Sequence, residues 1–348
     1  KGIDPELLFQ AVEEALVTAY KKNFGSNQNV RVDMNKVTGE LHIYAQRHIV
    51  AEVGDDPNEI SLEEARKIDP RYEVDDIVET EVTPRNFGRI AAQNAKQVVV
   101  QRIREAERGM VFEKFSSREN DIVTGIIQRM ENKNVYIDLG KAEAILTPNE
   151  QIPGEIYQYH DRMKTYIVEV KKTSKGPQIM VSRTHPGLLK RLFELEVPEI
   201  HDGLVEIKSV AREPGMRSKI SVYTKDENID PVGACVGHKG MRVQTIVNEL
   251  RGEKIDIVKY SSEPDQYVAN ALSPAKVVST EVLEEEKICR VIVPDYQLSL
   301  AIGKEGQNAR LAAKLTGWKI DIKSESQAAE EAEQGAQEVG VAYEADED

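Results

Sequence analysis

Apolar positions recur with a helical period at the start of the chain. Leu8, Ala11, Val12, Ala15, Leu16 and Ala19 form one stripe, with Asp4 as cap, Pro5 at the first helical position and Ile3 spaced to staple onto Leu8, so the pattern predicts a first helix. The period then falls to two: the runs 29–33 and 40–44 alternate apolar and polar residues across Thr38-Gly39, which predicts a β-hairpin. An acidic stretch over 52–81, broken by Pro57 and Pro70, reads as solvated loop with one short helix. Helical spacing returns from Phe87 to Arg108 through Ile90, Ala91, Ala95, Val98, Val99, Ile103 and Ala106, and Gly109 marks the predicted exit.

Residues 111–184 change to short strands at regular spacing: 121–127, 134–139, 142–146, 162–170 and 178–182. Five strands in so short a stretch predict a small Greek-key barrel of the OB type, an architecture that binds nucleic acid by stacking bases on surface aromatics. Tyr136, Tyr157, Tyr159 and Tyr166 are the aromatics available for core or for stacking, and the pattern does not choose among them.

Beyond the barrel one pattern occurs twice, in the order helix, strand, strand, helix, helix, strand. Its centre is a Gly-x-x-Gly tetrapeptide, Gly237-His238-Lys239-Gly240 in the first copy and Gly303-Lys304-Glu305-Gly306 in the second. Each follows a short apolar stretch (231–236; 298–302) and precedes an amphipathic helix that ends at a glycine. Lys254-Ile255-Asp256-Ile257 and Lys319-Ile320-Asp321-Ile322 then supply matching strands. One Gly-x-x-Gly is within reach of chance in a chain with 22 glycines; two in the same context are not. The arrangement predicts tandem KH modules of the bacterial type, in which glycines let a nucleic-acid backbone approach main-chain N–H groups at a helix N-terminus. Candidate RNA contacts are the eight loop residues, with Met241, Arg242, Gln307, Asn308 and Arg310 opening the helices that follow. Glu305 puts a negative charge where phosphate would pass, so the second loop is expected to bind more weakly.

Charge refines this picture. The net charge is −14, yet residues 324–348 carry nine acidic side chains and no Lys or Arg, and the segment holding both repeats, 201–323, is balanced. A balanced segment can still present a local basic face, and weak affinity with strong salt sensitivity is expected of it. The terminal segment is dominated by Ala, Glu, Gln and Ser, with few large apolar residues, and is expected to be a disordered acidic tail. The predicted helix over 87–108 has a basic face, which reads equally as a solvated face or as a contact surface, with Arg89, Lys96, Arg102, Arg104 and Arg108 as the candidate contacts. Cys235 and Cys289 stand alone in apolar surroundings and the six histidines lack ligand spacing, so no cofactor or metal is expected. No run approaches the roughly 18 apolar residues that span a bilayer, which predicts a cytoplasmic chain without membrane contact.

The expected architecture is therefore multidomain α+β: an N-terminal α/β domain (1–109), an OB-fold β-barrel of the S-one type (110–184), two tandem bacterial-type KH domains (185–258 and 259–323) and the tail (324–348). With that domain order, the junction runs 181–184 and 192–200 and the motif runs 229–237 and 301–310, the chain resembles the NusA family of bacterial transcription elongation and termination factors. The resemblance implies a non-enzymatic, monomeric factor whose N-terminal domain docks on RNA polymerase near the RNA exit channel. It also implies that barrel and KH domains guide nascent single-stranded RNA, that the factor promotes pausing and intrinsic termination, and that it joins antitermination complexes with other Nus factors. The rival readings are an accessory region of an RNase and a ribosome-assembly factor. The chain has no clustered acidic metal site, Ser/His/Asp arrangement or Walker-type phosphate loop to support the first.

Overall fold

The computed structural model describes residues 5–24, 27–35, 38–55 and 57–331. The chain divides after Val111 into two compact units.

In the first unit, α1 (Pro5–Phe24) buries Ala11, Val12, Leu16, Ala19 and Tyr20, which include most of the predicted stripe. The cap and staple assigned to Asp4 and Ile3 lie outside the described residues. The predicted hairpin is present as β1 (Asn29–Met34) and β2 (Leu41–Val50), antiparallel with Val32 opposite Ile43. Then come β3 (Glu59–Ser61), α2 (Leu62–Ile68), β4 (Ile77–Glu81) and α3 (Phe87–Ser116), whose residues from Phe112 on belong to the second unit. β2 is the hub of the sheet: it also pairs parallel with β3, Ile49 opposite Ile60, and antiparallel with β4, Arg47 opposite Val78.

Two expectations need correction here. The acidic stretch is not loop with a short helix alone, because β3 and β4 each add one core residue, Ile60 and Val78, to a cluster with Ile49 and Ala65. A strand that buries a single side chain leaves no alternation to read. Nor does the long helix stop at Gly109: α3 continues to Ser116, and Gly109 takes no left-handed turn. A mid-helix glycine costs only about 1 kcal/mol. Continuation brings Phe115 to a buried position.

The second unit opens with β5 (Ile122–Glu131), β6 (Asn134–Asp138), β7 (Glu143–Leu146), β8 (Arg162–Thr173) and β9 (Gly176–Ser182). They close into a barrel in the order β5-β6-β7-β9-β8, with only β7 and β9 parallel. Ile127, Ile137, Leu146, Ile167 and Ile179 are buried in it. Closure is tight at Gly125, where a Cβ would sit 2.3 Å from Ile137 Cγ2.

The repeated pattern follows. The first copy is α4 (Pro186–Glu196), the short α5 (Pro198–His201), β10 (Glu206–Glu213), β11 (Arg217–Tyr223), α6 (Pro231–Val236), α7 (Met241–Glu249) and β12 (Lys254–Lys259). The second is α8 (Pro264–Ala271), β13 (Ser279–Leu283), β14 (Ile288–Val293), α9 (Leu298–Ile302), α10 (Gln307–Thr316) and β15 (Lys319–Ser324). Each has a three-stranded sheet whose middle strand is antiparallel to the first and parallel to the last.

Barrel and repeats are fused through shared cores. Ile122 and Tyr166 of the barrel pack with Leu188, Leu192 and Phe193 of α4, and Ala211 and Val258 of the first copy join the core of the second. Polar links reinforce both junctions. Arg183, 1 % exposed, donates to the Glu155 carboxylate, to the Lys164 carbonyl at 2.9 Å and to the Glu249 carbonyl at 2.9 Å. The buried Lys219 ammonium reaches Asp256 at 3.0 Å and the Ser273 carbonyl at 2.8 Å, and Tyr267 donates to Ser221 at 2.8 Å. The two loops of the repeat are thereby carried on one packed scaffold.

The expectation of disorder from residue 324 onward also needs correction in its first part. Residues 325–331 are helical. Ser324 and Gln327 form a reciprocal capping box, and the Ser326 hydroxyl donates to Asp295 at 2.7 Å. The remainder of the tail lies outside the described residues.

Candidate nucleic-acid interface

The two Gly-x-x-Gly loops have nearly the same backbone. Gly237 has φ 74° and ψ 176°, Gly303 has φ 78° and ψ 172°; Gly240 and Gly306 are left-handed at φ 76° and 74°. Lys239 and Glu305, at the same point of each loop, are also left-handed. The two glycines of a loop do different work. A Cβ at Gly237 would meet Arg242 Cγ at 2.6 Å, and one at Gly303 would meet the Asn308 amide nitrogen at 2.8 Å, so the first glycine allows the following helix to pack against the loop. At Gly240 and Gly306 there is open space, and only the positive φ calls for glycine. Their open side is where another molecule's backbone can approach the start of α7 or α10.

Around the first loop, His238, Lys239 and Met241 are exposed. Arg242 is drawn inward: Nη1 donates to the Ala234 carbonyl at 2.6 Å and to Glu199 at 2.9 Å. Around the second, Lys304 and Glu305 are exposed, while Gln307 and Arg310 both donate to Glu213 of the first repeat, at 2.8 and 2.7 Å. Asn308 does not fit its expected role. It is 3 % exposed, and its Nδ2 donates to the Leu272 and Ala301 carbonyls at 3.0 Å. It occupies the position of Arg242, and the buried amide is what α10 rests on.

The barrel aromatics divide clearly. Tyr166 is buried and stacks on His185 with ring centres 4.5 Å apart. Tyr157 accepts from the Ile152 N–H at 3.0 Å and donates to Glu155, and burial pushes its hydroxyl above the usual range. Tyr136 lies under the Arg129 guanidinium, 4.0 Å from the ring centre, and Tyr159 is exposed beside His160. Of the four only Tyr159 is exposed, and Tyr136 is half-buried, as Tyr157 is.

Four family models match consecutive stretches of the chain: the NusA N-terminal domain over residues 1–109, the S1 RNA binding domain over 116–182, the NusA-like first KH domain over 183–260 and the NusA-like second KH domain over 264–330. Among curated proteins, the "Transcription termination/antitermination protein NusA" of Halalkalibacterium halodurans is 66% identical over 330 residues, covering 95% of this chain and 86% of its own length. The protein of the same description from Bacillus subtilis is also 66% identical over 330 residues, with 95% and 89% covered. The chain belongs to the NusA family. A solved relative, the N-terminal domain of NusA from B. subtilis in solution, is 58% identical, covers 31% of this chain and 87% of its own, and has a TM-score of 0.29.

The remaining NusA-family candidates lie in the first unit. Arg89, Lys96, Arg102, Arg104 and Arg108 are all exposed on α3, with Arg102 paired to Glu105 at 3.2 Å. Among the described residues no group of three or more His, Cys, Asp or Glu side chains is placed to hold a metal ion, and no helix is long and apolar enough to cross a membrane. Burial drives the Cys235 thiol up to about 12 and raises that of Cys289, which leaves both in the unreactive thiol form.

Arg183, Glu213, Lys219 and Glu249, which organise the RNA-binding scaffold, were not candidates from sequence. Their partners lie far along the chain, as with Arg183 and Glu249, and no local spacing announces such a pair.

Proposed function

We propose that this chain is an RNA-binding transcription factor that acts on RNA polymerase, modulating pausing, intrinsic termination and antitermination. Residues 1–109 dock on the enzyme. The barrel over 110–184 and the KH domains over 185–258 and 259–323 take nascent single-stranded RNA, and the factor works in the cytoplasm as a monomer together with other Nus factors. One observation carries the RNA half of this reading: two loops of matching geometry, each with a glycine open to an approaching backbone, ride on one packed scaffold beside an S1 barrel. The polymerase half rests on the family, whose curated relatives are named for transcription termination and antitermination.

The RNA contacts we propose are Gly237, His238, Lys239, Gly240 and Met241 in the first loop, and Gly303, Lys304, Glu305, Gly306, Gln307 and Arg310 around the second. Arg242 supports the first loop from behind. The deciding experiment incubates the chain with core RNA polymerase and with ribosomal subunits in parallel. Association with polymerase, together with altered dwell times at a hairpin-dependent pause, supports the reading. Association with ribosomal subunits alone overturns it in favour of a ribosome-assembly factor.

A further inference from the structure

Glu213 is the last residue of β10 and belongs to the first KH domain, yet its carboxylate ends beside the loop of the second. Oε1 accepts from Arg310 Nε at 2.7 Å and Oε2 from Gln307 Nε2 at 2.8 Å. Arg310 Nη1 also donates to the Glu305 carbonyl, within the loop itself, at 3.1 Å. The Arg310 hydrogen bond holds the Glu213 carboxyl below the usual carboxylate range. The Glu213 side chain is 18 % exposed and that of Arg310 is 47 % exposed, so the guanidinium is neutralised but open to an incoming anion.

The charge around the two loops differs as a result. In the first, Lys239 stands at the tip with no opposing carboxylate in the loop, and Glu199 takes up Arg242 from behind. In the second, Glu305 offsets Lys304 and Glu213 offsets Arg310. An Arg fork suits a phosphate as well as it suits a carboxylate, and an exposed ion pair holds it by about 1 kcal/mol or less.

We infer that Glu213 is a built-in competitor of RNA at the second KH loop: it holds Arg310 in the free protein and yields it to a backbone phosphate when single-stranded RNA binds. The first KH domain thereby sets how strongly the second grips RNA. This rests on the RNA-binding reading of the loops given above. The competing idea makes Glu213 a strut that keeps α10 in position, in which case its loss weakens binding.

The test uses the full chain, titrated into fluorescein-labelled oligoadenylate and into a labelled mixed-sequence single strand at several salt concentrations, with anisotropy as readout. Glu213→Gln keeps the side chain's size and removes its charge. It is expected to bind about three- to tenfold more tightly, with a salt slope steeper by about one phosphate contact. Arg310→Gln is expected to bind more weakly than wild type and to cancel the gain when combined with Glu213→Gln. Unchanged or weaker binding by a folded Glu213→Gln protein, with an unaltered slope, overturns the inference. Glu213→Asp provides a second reading if Glu213→Gln melts early: it leaves Arg310 intact and draws the carboxylate back from it by one methylene. Binding at least as tight as wild type agrees with competition, and a clear loss agrees with the strut. A wild-type chain that binds neither RNA sinks the functional reading itself, whereas wild-type binding that ignores Glu213→Gln sinks only this one.

Discussion

Arg183 closes the junction between barrel and first KH domain by gripping Glu249 twice, at its backbone carbonyl (2.9 Å) and at its carboxylate (3.3 Å). The same guanidinium neutralises Glu155, whose side chain is 2 % exposed. Removing one member of a buried ion pair costs about 3–5 kcal/mol because the partner stays behind unpaired. Arg183→Met should therefore lower the stability of the barrel–KH unit by about 3 kcal/mol, read as a shift in the urea midpoint. A loss under about 1 kcal/mol would mean that water or a rearranged Lys164 replaces the guanidinium.

The two glycines of a loop should respond differently to alanine. Gly306→Ala faces open space and only the cost of a left-handed residue, about 1 kcal/mol. Gly303→Ala faces a harsher backbone region, φ 78° with ψ 172°, which is essentially confined to glycine, and also meets the Asn308 backbone at 2.8 Å, so α10 must shift. The melting temperature should fall further for Gly303→Ala than for Gly306→Ala. Equal losses would show that neither the ψ of Gly303 nor its contact with Asn308 adds to the cost of a positive φ.

Much of this architecture is legible in the sequence, for reasons the structure makes plain. The barrel strands and both KH repeats alternate or recur over enough residues to reveal their period, and the apolar stretches 231–236 and 298–302 coincide with α6 and α9. Elements held by one or two buried side chains, such as β3 and β4, leave no such pattern. Gly109 misled because a helix end is signalled by glycine only when packing also stops, and Phe115 shows that it does not. The loop residues were readable as a motif, but their division of labour was not. Arg242 and Asn308 occupy equivalent positions, and only the fold reveals that one bonds to Glu199 and the other is buried.

Charge at the first loop should dominate RNA affinity. His238→Asp combined with Lys239→Asp places two carboxylates at an exposed tip, so binding should fall by an order of magnitude or more with an unchanged circular dichroism spectrum. Lys304→Asp should cost less, because Glu305 and Glu213 already offset the cations there. Filter binding that registers no loss in either variant would remove the loops from the interface.

Acid should weaken the KH scaffold in a defined window. Burial pushes the Glu253 carboxyl up, but Arg212, Ser218 and the Gly215 N–H outweigh it, so its folded pKa lies below the ordinary 4.5. Burial likewise opposes Asp256, and Arg217 and Lys219 bring it below 3.8. Above these ordinary values both groups are ionised folded or unfolded, and their stabilisation is fully present. As pH falls through them the unfolded chain takes up protons first, and the contribution is gone once pH drops under the folded pKa. The melting temperature should hold steady above about pH 5 and decline below it. Glu253→Gln should melt lower at neutral pH and decline less steeply in acid, and a slope equal to wild type would assign the acid sensitivity elsewhere.

The basic face of α3 gives the test that separates docking from RNA handling. Arg104 and Arg108 are exposed on a helix of the unit that we propose meets polymerase, and that unit contains neither a Gly-x-x-Gly loop nor the barrel. Cations on such a surface attract free RNA only feebly, since a few screened charges give little affinity at physiological salt. Once the unit is docked, emerging transcript is present at an effective concentration that can reach the millimolar range, and the same cations become effective. Arg104→Glu combined with Arg108→Glu should therefore shorten hairpin-dependent pauses severalfold while changing retention on immobilised core polymerase by less than about twofold. Equal losses in both measurements would mean that α3 is part of the docking surface itself. Pausing unchanged by the double reversal would leave RNA contact at the exit to the barrel and KH domains alone.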